Sequence, residues 1–92
     1  MDFKSLRKFN KETIEKMDPI DGLYFIFNNK KNIIFIGKSK NNKDELLKHL
    51  NNESSESECI LNNNPTYFWT GSYLASEKLK DLIEKFKPIC NK

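Results

Sequence analysis

The sequence is poor in the features that mark membrane proteins, secreted proteins and metal sites. No apolar run in its 92 residues approaches the roughly 20 residues that a membrane-spanning helix needs. The first ten residues, MDFKSLRKFN, lack the apolar core of a signal peptide. His49 is the only histidine, and no cluster of acids or thiols shows the spacing of metal ligands. We therefore expect a cytoplasmic protein without a resident metal ion or other cofactor.

Cysteine is almost absent as well. Cys59 and Cys90 lie far apart in the sequence, and neither belongs to a CxxC motif or has a histidine nearby. In a reducing compartment such a pair is interpreted as two idle or buried thiols, and we expect that state here.

Two motifs of catalytic proteins are incomplete. Gly37-Lys38-Ser39 matches the end of a phosphate-binding loop, but that loop needs a second glycine five residues upstream, where the chain has Asn32. Serine, histidine and aspartate show no nucleophilic arrangement beyond what chance supplies in a polar chain. The sequence therefore gives no support to a nucleotide-hydrolysing or serine-nucleophile enzyme.

The composition is that of one small folded domain over residues 1–92. Hydrophobic residues make up 37% and aromatic residues 12%, which is enough for a core. The net charge is +3, and lysines concentrate in residues 21–51, whereas residues 52–76 carry glutamates and no base. The lysines indicate either a face that attracts a polyanion or an ordinary solvated surface, and charge alone does not decide between them.

The hydrophobic pattern predicts an α+β fold with a small, three-stranded, mainly antiparallel sheet flanked by helices. Two strands are apolar on both faces, so the sheet should be covered on two sides. The predicted order is an N-terminal helical extension within 1–18, strands at 22–28 and 32–37, a helix near 41–51, a flexible acidic loop at 52–64, a strand at 66–70 and a helix at 73–86.

Local signals refine this pattern. If Asn29-Lys30 is a two-residue turn, Tyr24 lies directly opposite Phe35 and both side chains share one face of the sheet. Asn42 followed three residues later by Glu45 is typical of a capping box.

The hairpin carries a resemblance to a known family. "GLY" at 22–24 and "FIG" at 35–37 resemble the signature of the GIY-YIG nucleases, and "FIGKSKN" continues as that family does. "ELLKHL" lies where the family has an arginine followed four residues later by a histidine. "ASEKLKDLIEKFKPICN" is similar to the family's closing helix, which ends in Pro-x-x-Asn. The resemblance runs from about Pro19 to the C-terminus.

The resemblance implies a set of active-site positions, and several depart from the family. In the family, two tyrosines, an arginine and a metal-binding glutamate surround the scissile phosphate. These positions fall on Tyr24, Phe35, Glu45 and Leu79. Phe35 has no hydroxyl, Glu45 reverses the charge, and Leu79 cannot bind a metal. The family positions Lys38 and His49 complete the candidate set, and Glu77 and Asp81 are the nearest acids to Leu79 in sequence, at an unfavourable rotation of about 200° for a two-residue step.

Two functional hypotheses follow. In the first, the protein is a catalytically incomplete relative that binds DNA or RNA, or a protein partner. Its candidate contacts are Gly37, where a phosphate could approach closely, the aromatic run Tyr67, Phe68 and Trp69, which is either stacking surface or core, and the lysines Lys30, Lys31, Lys38, Lys40, Lys43 and Lys48.

In the second hypothesis, the protein is an active endonuclease with relocated ligands. It would use Mg²⁺ or Mn²⁺, with Tyr24, Lys38 and His49 acting together with Glu77 or Glu84.

Overall fold

The computed structural model describes residues 5–72 and 79–91. Within them, four strands form one antiparallel sheet in the order β1-β4-β2-β3. The α+β class and the antiparallel sheet are therefore confirmed, and the sheet has one strand more than the three predicted. The strands are β1 (Arg7–Lys8), β2 (Gly22–Asn28), β3 (Ile33–Ser39) and β4 (Pro65–Ser72), and the helices are α1 (Lys11–Glu15), α2 (Asn42–Leu50), α3 (Ser57–Leu61) and α4 (Leu79–Phe86).

The N-terminal segment differs from the predicted helical extension. Arg7 and Lys8 form a short edge strand that pairs with Phe68 and Tyr67, and both are exposed, so no alternation of apolar residues marks them. A single short helix, α1, follows. Asn10 caps it by accepting a hydrogen bond from the Thr13 N–H at 2.8 Å, as its residue type predicts.

The hairpin turn has three residues rather than two. The Asn28 side chain accepts hydrogen bonds from the backbone N–H groups of Lys30 and Asn32, both at 2.9 Å. Lys31 has a φ of 66°, the left-handed conformation that closes three-residue hairpin loops. The extra residue shifts the strand register by one position, and an irregularity in the pairing between Ile26 and Phe27 shifts it by one more.

In the observed register, Tyr24 lies opposite Gly37, and Ile26 lies opposite Phe35. The predicted direct opposition of Tyr24 and Phe35 is therefore wrong by two positions. Because side chains alternate with a period of two, this shift keeps both rings on the same face. Their ring centroids are 5.9 Å apart, and the shared face is confirmed.

Both faces of the sheet are covered, as predicted. One face forms the Tyr24 cluster, whose buried members are Phe9, Ile14, Met17, Tyr24, Ile26, Ile34, Phe35, Leu46, Ile60, Phe68 and Cys90. The other forms the Phe25 cluster, which consists of Leu23, Phe25, Phe27 and Ile36 with Leu6, Ile33, Tyr67, Trp69 and the α4 residues Leu79, Leu82, Ile83 and Phe86 packed against it. Alternate residues of β2 thus serve two cores. Phe68 is fully buried, so it is core and not stacking surface.

The acidic segment is not a loop throughout. α3 lies within residues 52–64, and its Ile60 is fully buried in the Tyr24 cluster. The Ser57 hydroxyl accepts a hydrogen bond from the Ser54 N–H at 3.2 Å. The predicted flexible loop is therefore wrong over α3, because one buried isoleucine and local serine bonds hold a short helix among charged residues.

The C-terminal helix agrees with the prediction where the structure describes it. α4 covers Leu79–Phe86, and the predicted residues 73–78 lie outside the described residues. In the part of the chain that the structure describes, no helix combines the length and the apolar character needed to cross a membrane.

The two cysteines form a disulfide, so the expectation of idle thiols is wrong. The backbone N–H of Cys90 donates to the Ile34 carbonyl at 3.0 Å, which places the C-terminal segment beside β3. There it meets α3, and the Cα atoms of Cys59 and Cys90 lie 5.7 Å apart, within bonding reach. Their separation of 31 residues carries no sequence signal for this contact.

Candidate active-site face

A buried hydrogen bond joins β2 to α2 at the centre of the Tyr24 cluster. The Tyr24 hydroxyl lies 2.9 Å from Nε2 of His49. Tyr24 is 3% exposed and His49 is 1% exposed. These two predicted site residues, 25 positions apart, are therefore brought together away from solvent.

The other histidine nitrogen is also paired. Nδ1 of His49 lies 2.9 Å from the Ser54 hydroxyl and 3.2 Å from that of Ser57. The two hydroxyl oxygens are 2.7 Å apart, and Ser57 donates to the Lys48 carbonyl at 3.4 Å. One arrangement gives every proton an acceptor: Tyr24 donates to Nε2, Nδ1–H donates to Ser54, and the chain ends on the carbonyl. We call this the Tyr24–His49–serine network.

Burial keeps both titratable members of the network neutral. Burial lowers the pKa of His49 from its usual 6.5, whereas the nearby carboxylates of Glu45 and Glu56 act in the opposite direction. Burial also raises the pKa of Tyr24, and the same two carboxylates raise it further. At neutral pH the network therefore consists of an uncharged imidazole and a protonated phenol.

The pKa of His49 predicts how stability depends on pH. Because the pKa is lower in the folded than in the unfolded chain, the stabilisation is fully present above about pH 6.5 and is lost as pH falls below that value. We expect the free energy of unfolding from urea titrations to fall between pH 7 and pH 5, by up to about 1.4 kcal/mol per pH unit for one proton. His49→Gln should flatten this dependence. An equally steep dependence in the variant would contradict the assignment to His49.

Phe35 stands at the first position of FIG, where the family motif has a tyrosine, and it belongs to the Tyr24 cluster. It is 6% exposed, and its ring centroid lies 5.2 Å from that of His49. Because phenylalanine has no hydroxyl, the imidazole meets an apolar ring here, tilted by 65° to its own plane.

Gly37 makes room for the Tyr24 ring. A Cβ at Gly37 would overlap the Cζ and hydroxyl of Tyr24 and would lie 2.6 Å from its Cε1. Gly37 is buried and sits within β3, not at its end. The space that the Tyr24 ring needs therefore explains the glycine at position 37. The sequence predicts a different reason for Gly37, the close approach of a phosphate.

Gly37→Ala should therefore be costly. Overpacking a tightly filled core typically costs about 1–3 kcal/mol, and here a methyl group would displace the Tyr24 ring and strain its bond to His49. Thermal and urea unfolding would measure this loss. Tyr24→Ala removes the ring that the new methyl group would meet. Adding Gly37→Ala to Tyr24→Ala should therefore lower the free energy of unfolding much less than Gly37→Ala does in the unmodified protein. An equal loss in both backgrounds would contradict this explanation.

Glu45 and Lys48 pair with each other. Their charged groups are 3.4 Å apart, and Lys48 also lies 3.9 Å from Asp44. The charge of Lys48 is therefore shared with two carboxylates. Glu45 presents a negative group at the position that the sequence resemblance assigns to the family's arginine.

The predicted capping box is wrong by one residue. Asn41 is the N-cap of α2, and its side chain accepts from the Asp44 N–H at 3.0 Å. Asn42 is instead fully buried, and its side-chain nitrogen donates to the Leu23 carbonyl at 3.1 Å. This bond ties α2 to β2 and so fixes His49 over Tyr24.

The predicted nucleic-acid contacts divide into two groups. Lys30 and Lys31 lie at the hairpin turn, and Lys38 and Lys40 lie at the opposite end of β3. At ~3.3 Å per strand residue the two groups are about 20 Å apart. Lys43 lies in the first turn of α2, so the three lysines at positions 38, 40 and 43 are the larger group.

Leu79, to which the sequence resemblance assigns the family's metal position, is half-buried against the Phe25 cluster. Phe35 belongs to the Tyr24 cluster, so the two residues lie in different cores. A leucine side chain has no ligand atom, and the residues do not fit a divalent cation at this position. Glu77 lies outside the described residues, and Glu84 is exposed on α4. Among residues 5–72 and 79–91, no three His, Cys, Asp or Glu side chains form a group that could hold a metal.

Ser54, Ser57 and Asn91 are site residues that the sequence pattern does not predict. Asn91 ends the Pro-x-x-Asn motif, and its side chain accepts from the Ile36 N–H and donates to the Ile36 carbonyl, both at 2.8 Å. The serines lie in a polar segment with no regular spacing, so only the fold reveals their contact with His49.

Solved structures of the GIY-YIG N-terminal endonuclease domain of UvrC from Thermotoga maritima share this fold. One, bound to magnesium as its catalytic divalent cation, is 26% identical with a TM-score of 0.67, and the match covers 90% of this chain and 100% of that chain. Another, a variant with a tyrosine replaced by phenylalanine and also bound to its catalytic divalent cation, is 30% identical with a TM-score of 0.65 and the same coverage. The chain belongs to the GIY-YIG nuclease family.

A curated relative agrees with this assignment. The UvrABC system protein C of Dictyoglomus thermophilum is 29% identical over 84 residues, which are 88% of this chain. The GIY-YIG chain described here spans only 14% of the length of that relative. No protein-family model matches the chain.

Proposed function

We propose that this GIY-YIG domain binds nucleic acid in the cytoplasm without cleaving it. The observation that carries the proposal is the closed Tyr24–His49–serine network. Family chemistry needs a tyrosine that meets water and a cation that holds the phosphate. Here the tyrosine bonds to a neutral histidine inside the core, and Glu45 stands where the cation is needed.

The losses reinforce one another. The phenol at Tyr24 is protonated and buried, so it cannot activate a water molecule at the surface. Leu79 offers no metal ligand, and removing even one electrostatic contact to a transition state typically costs ~10²–10³ in rate. The alternative, an active magnesium- or manganese-dependent endonuclease, would need ligands outside the family positions.

DNA is the polyanion that we favour as the partner. The related structure is the endonuclease domain of UvrC. In this chain, Lys38 and Lys40 are exposed at the end of β3, and Lys43 follows in the first turn of α2. This group can contact successive phosphates without base specificity. RNA or an acidic protein surface would satisfy the same charges, and the binding test distinguishes them.

Binding should depend on the 38–40 lysines and on salt. We expect Lys38→Ala/Lys40→Ala to weaken binding to single-stranded and duplex DNA regardless of sequence, and to reduce the slope of log affinity against log salt by about 2. Fluorescence anisotropy with labelled oligonucleotides and an RNA of the same sequence would measure this.

Lys48→Ala is the matched control, because Lys48 already pairs with Glu45 and Asp44. Its effect should be smaller than that of either change at 38 or 40. No measurable binding to DNA or RNA at low salt would contradict the proposal and favour a protein partner.

A further inference from the structure

The Cys59–Cys90 disulfide joins the two segments that flank the Tyr24 cluster. Cys59 lies on α3, and Cys90 lies in the segment that follows α4. Each segment makes its own contact with the cluster, so the crosslink connects two supports that are distant in sequence.

The C-terminal segment holds the edge strand. β3 is at the edge of the sheet, and an unpaired edge leaves backbone groups free. The Cys90 N–H donates to the Ile34 carbonyl at 3.0 Å, and the Asn91 side chain bonds both backbone groups of Ile36 at 2.8 Å. These bonds lie on either side of Phe35, which contacts His49.

α3 holds the histidine from the other side. Ser57, fully buried, is 3.2 Å from Nδ1 of His49, and Ile60 is fully buried in the same cluster. Cys59 lies between these two anchors. A helix of one turn and a half has little stability of its own, so a covalent link at its centre has a large effect on its position.

We propose that Cys59 and Cys90 are a redox modification site whose disulfide keeps the Tyr24–His49–serine network closed. Reduction by a dithiol frees α3 and the C-terminal segment to separate. The inference deepens the proposed function, since it concerns the same network. Disulfides are rare in the cytosol, where those that occur are usually transient and often sense redox state.

The dithiol supplies the electrons and protons that reduction of the Cys59–Cys90 bond requires. Its thiolate attacks one cysteine sulfur, the protein S–S bond breaks, and the second thiol of the reagent then displaces the mixed disulfide. The protein gains two electrons and two protons, and the reagent leaves as its cyclic disulfide. A cavity of about 320 Å³, lined by Ser55, Glu56, Cys59 and Cys90, gives a small dithiol access to the bond.

Hydrogen exchange with mass spectrometry tests the proposal on the unmodified protein. Oxidised and dithiothreitol-reduced samples are compared, peptide by peptide. We expect reduction to speed exchange about tenfold or more in residues 34–36 and 57–61, because local opening becomes easier. The centre of β2 exchanges only when the whole domain unfolds, so its rate should rise only as far as the loss of global stability requires, and after reduction it should stay slower than the rate in residues 34–36 and 57–61. Cys59→Ser should exchange at the fast rate and should not respond to dithiothreitol.

Two results would overturn the proposal. One is quantitative alkylation of both thiols in protein prepared under air without reductant, which would show that the disulfide does not form. The other is equal exchange before and after reduction. If Cys59→Ser does not fold, the comparison of oxidised with dithiothreitol-reduced unmodified protein still tests the proposal. Nucleic-acid binding and cleavage are not used, so failure of the proposed function leaves this result interpretable.

Discussion

Reduction of the Cys59–Cys90 disulfide is expected to lower the free energy of unfolding by about 3.7 kcal/mol. In the chain-entropy treatment, a crosslink across 31 residues stabilises the fold by restricting the unfolded chain, and the loop length sets that amount. This loss is a large share of the total free energy of unfolding of a domain of 92 residues, since that total is typically about 5–15 kcal/mol.

Urea unfolding with and without dithiothreitol would measure the difference. The Cys59→Ser/Cys90→Ser variant is the control, because it should match the reduced protein and ignore the reagent. A change below about 1 kcal/mol in the unmodified protein would show that the crosslink contributes little.

Leu79→Glu is expected to destabilise the protein by about 2–4 kcal/mol and to leave it unable to cleave DNA. The change removes a leucine from the Phe25 cluster and introduces a carboxylate among apolar side chains, where an unpaired charge is costly. Although a glutamate is the family's residue at this position, Glu45 would still repel the phosphate and Phe35 would still lack a hydroxyl.

Lys80→Glu is a matched control, because Lys80 is the next residue on α4 and is exposed. It adds the same carboxylate and should change stability little. Unfolding curves and a cleavage assay with magnesium would be run on both variants. Metal-dependent cleavage by Leu79→Glu alone would show that Leu79 is the one missing catalytic element.

The strands that carry the family motifs could be predicted from the sequence, because each is a compact apolar run between polar segments. β2 has the predicted bounds, and Tyr24 and Phe35 share a face as expected. Their exact register could not be predicted. It depends on a left-handed conformation at Lys31, which a lysine rarely adopts, and on an irregularity in the pairing between Ile26 and Phe27. No propensity rule indicates either one.

Features that depend on tertiary contacts were missed. β1 forms only because β4 offers an edge to Arg7 and Lys8, and α3 forms around the burial of Ile60. The disulfide likewise requires a fold that brings the C-terminal segment beside α3. In each case the segment has too few apolar residues to show the period of a strand or a helix, so the sequence pattern does not indicate the contact.

The candidate site shows the same division. The motif spacing leads to Tyr24, Phe35 and His49, and the structure brings these three side chains together. It does not lead to Ser54 and Ser57, whose bonds to His49 turn a pair into a closed network. The closed network changes the expected function, because a buried and fully paired tyrosine cannot activate a water molecule as an accessible tyrosine could.

A cleavage assay on the unmodified protein tests the central claim most directly. The protein is incubated with single-stranded, duplex and branched DNA and with RNA, in magnesium and in manganese, and the products are resolved on denaturing gels. The closed Tyr24–His49–serine network, Glu45 and Leu79 predict no detectable cleavage of any substrate. Metal-dependent nicking that co-purifies with the protein and disappears in Tyr24→Phe would contradict the account, because it would show that Tyr24 works in a functional nuclease site.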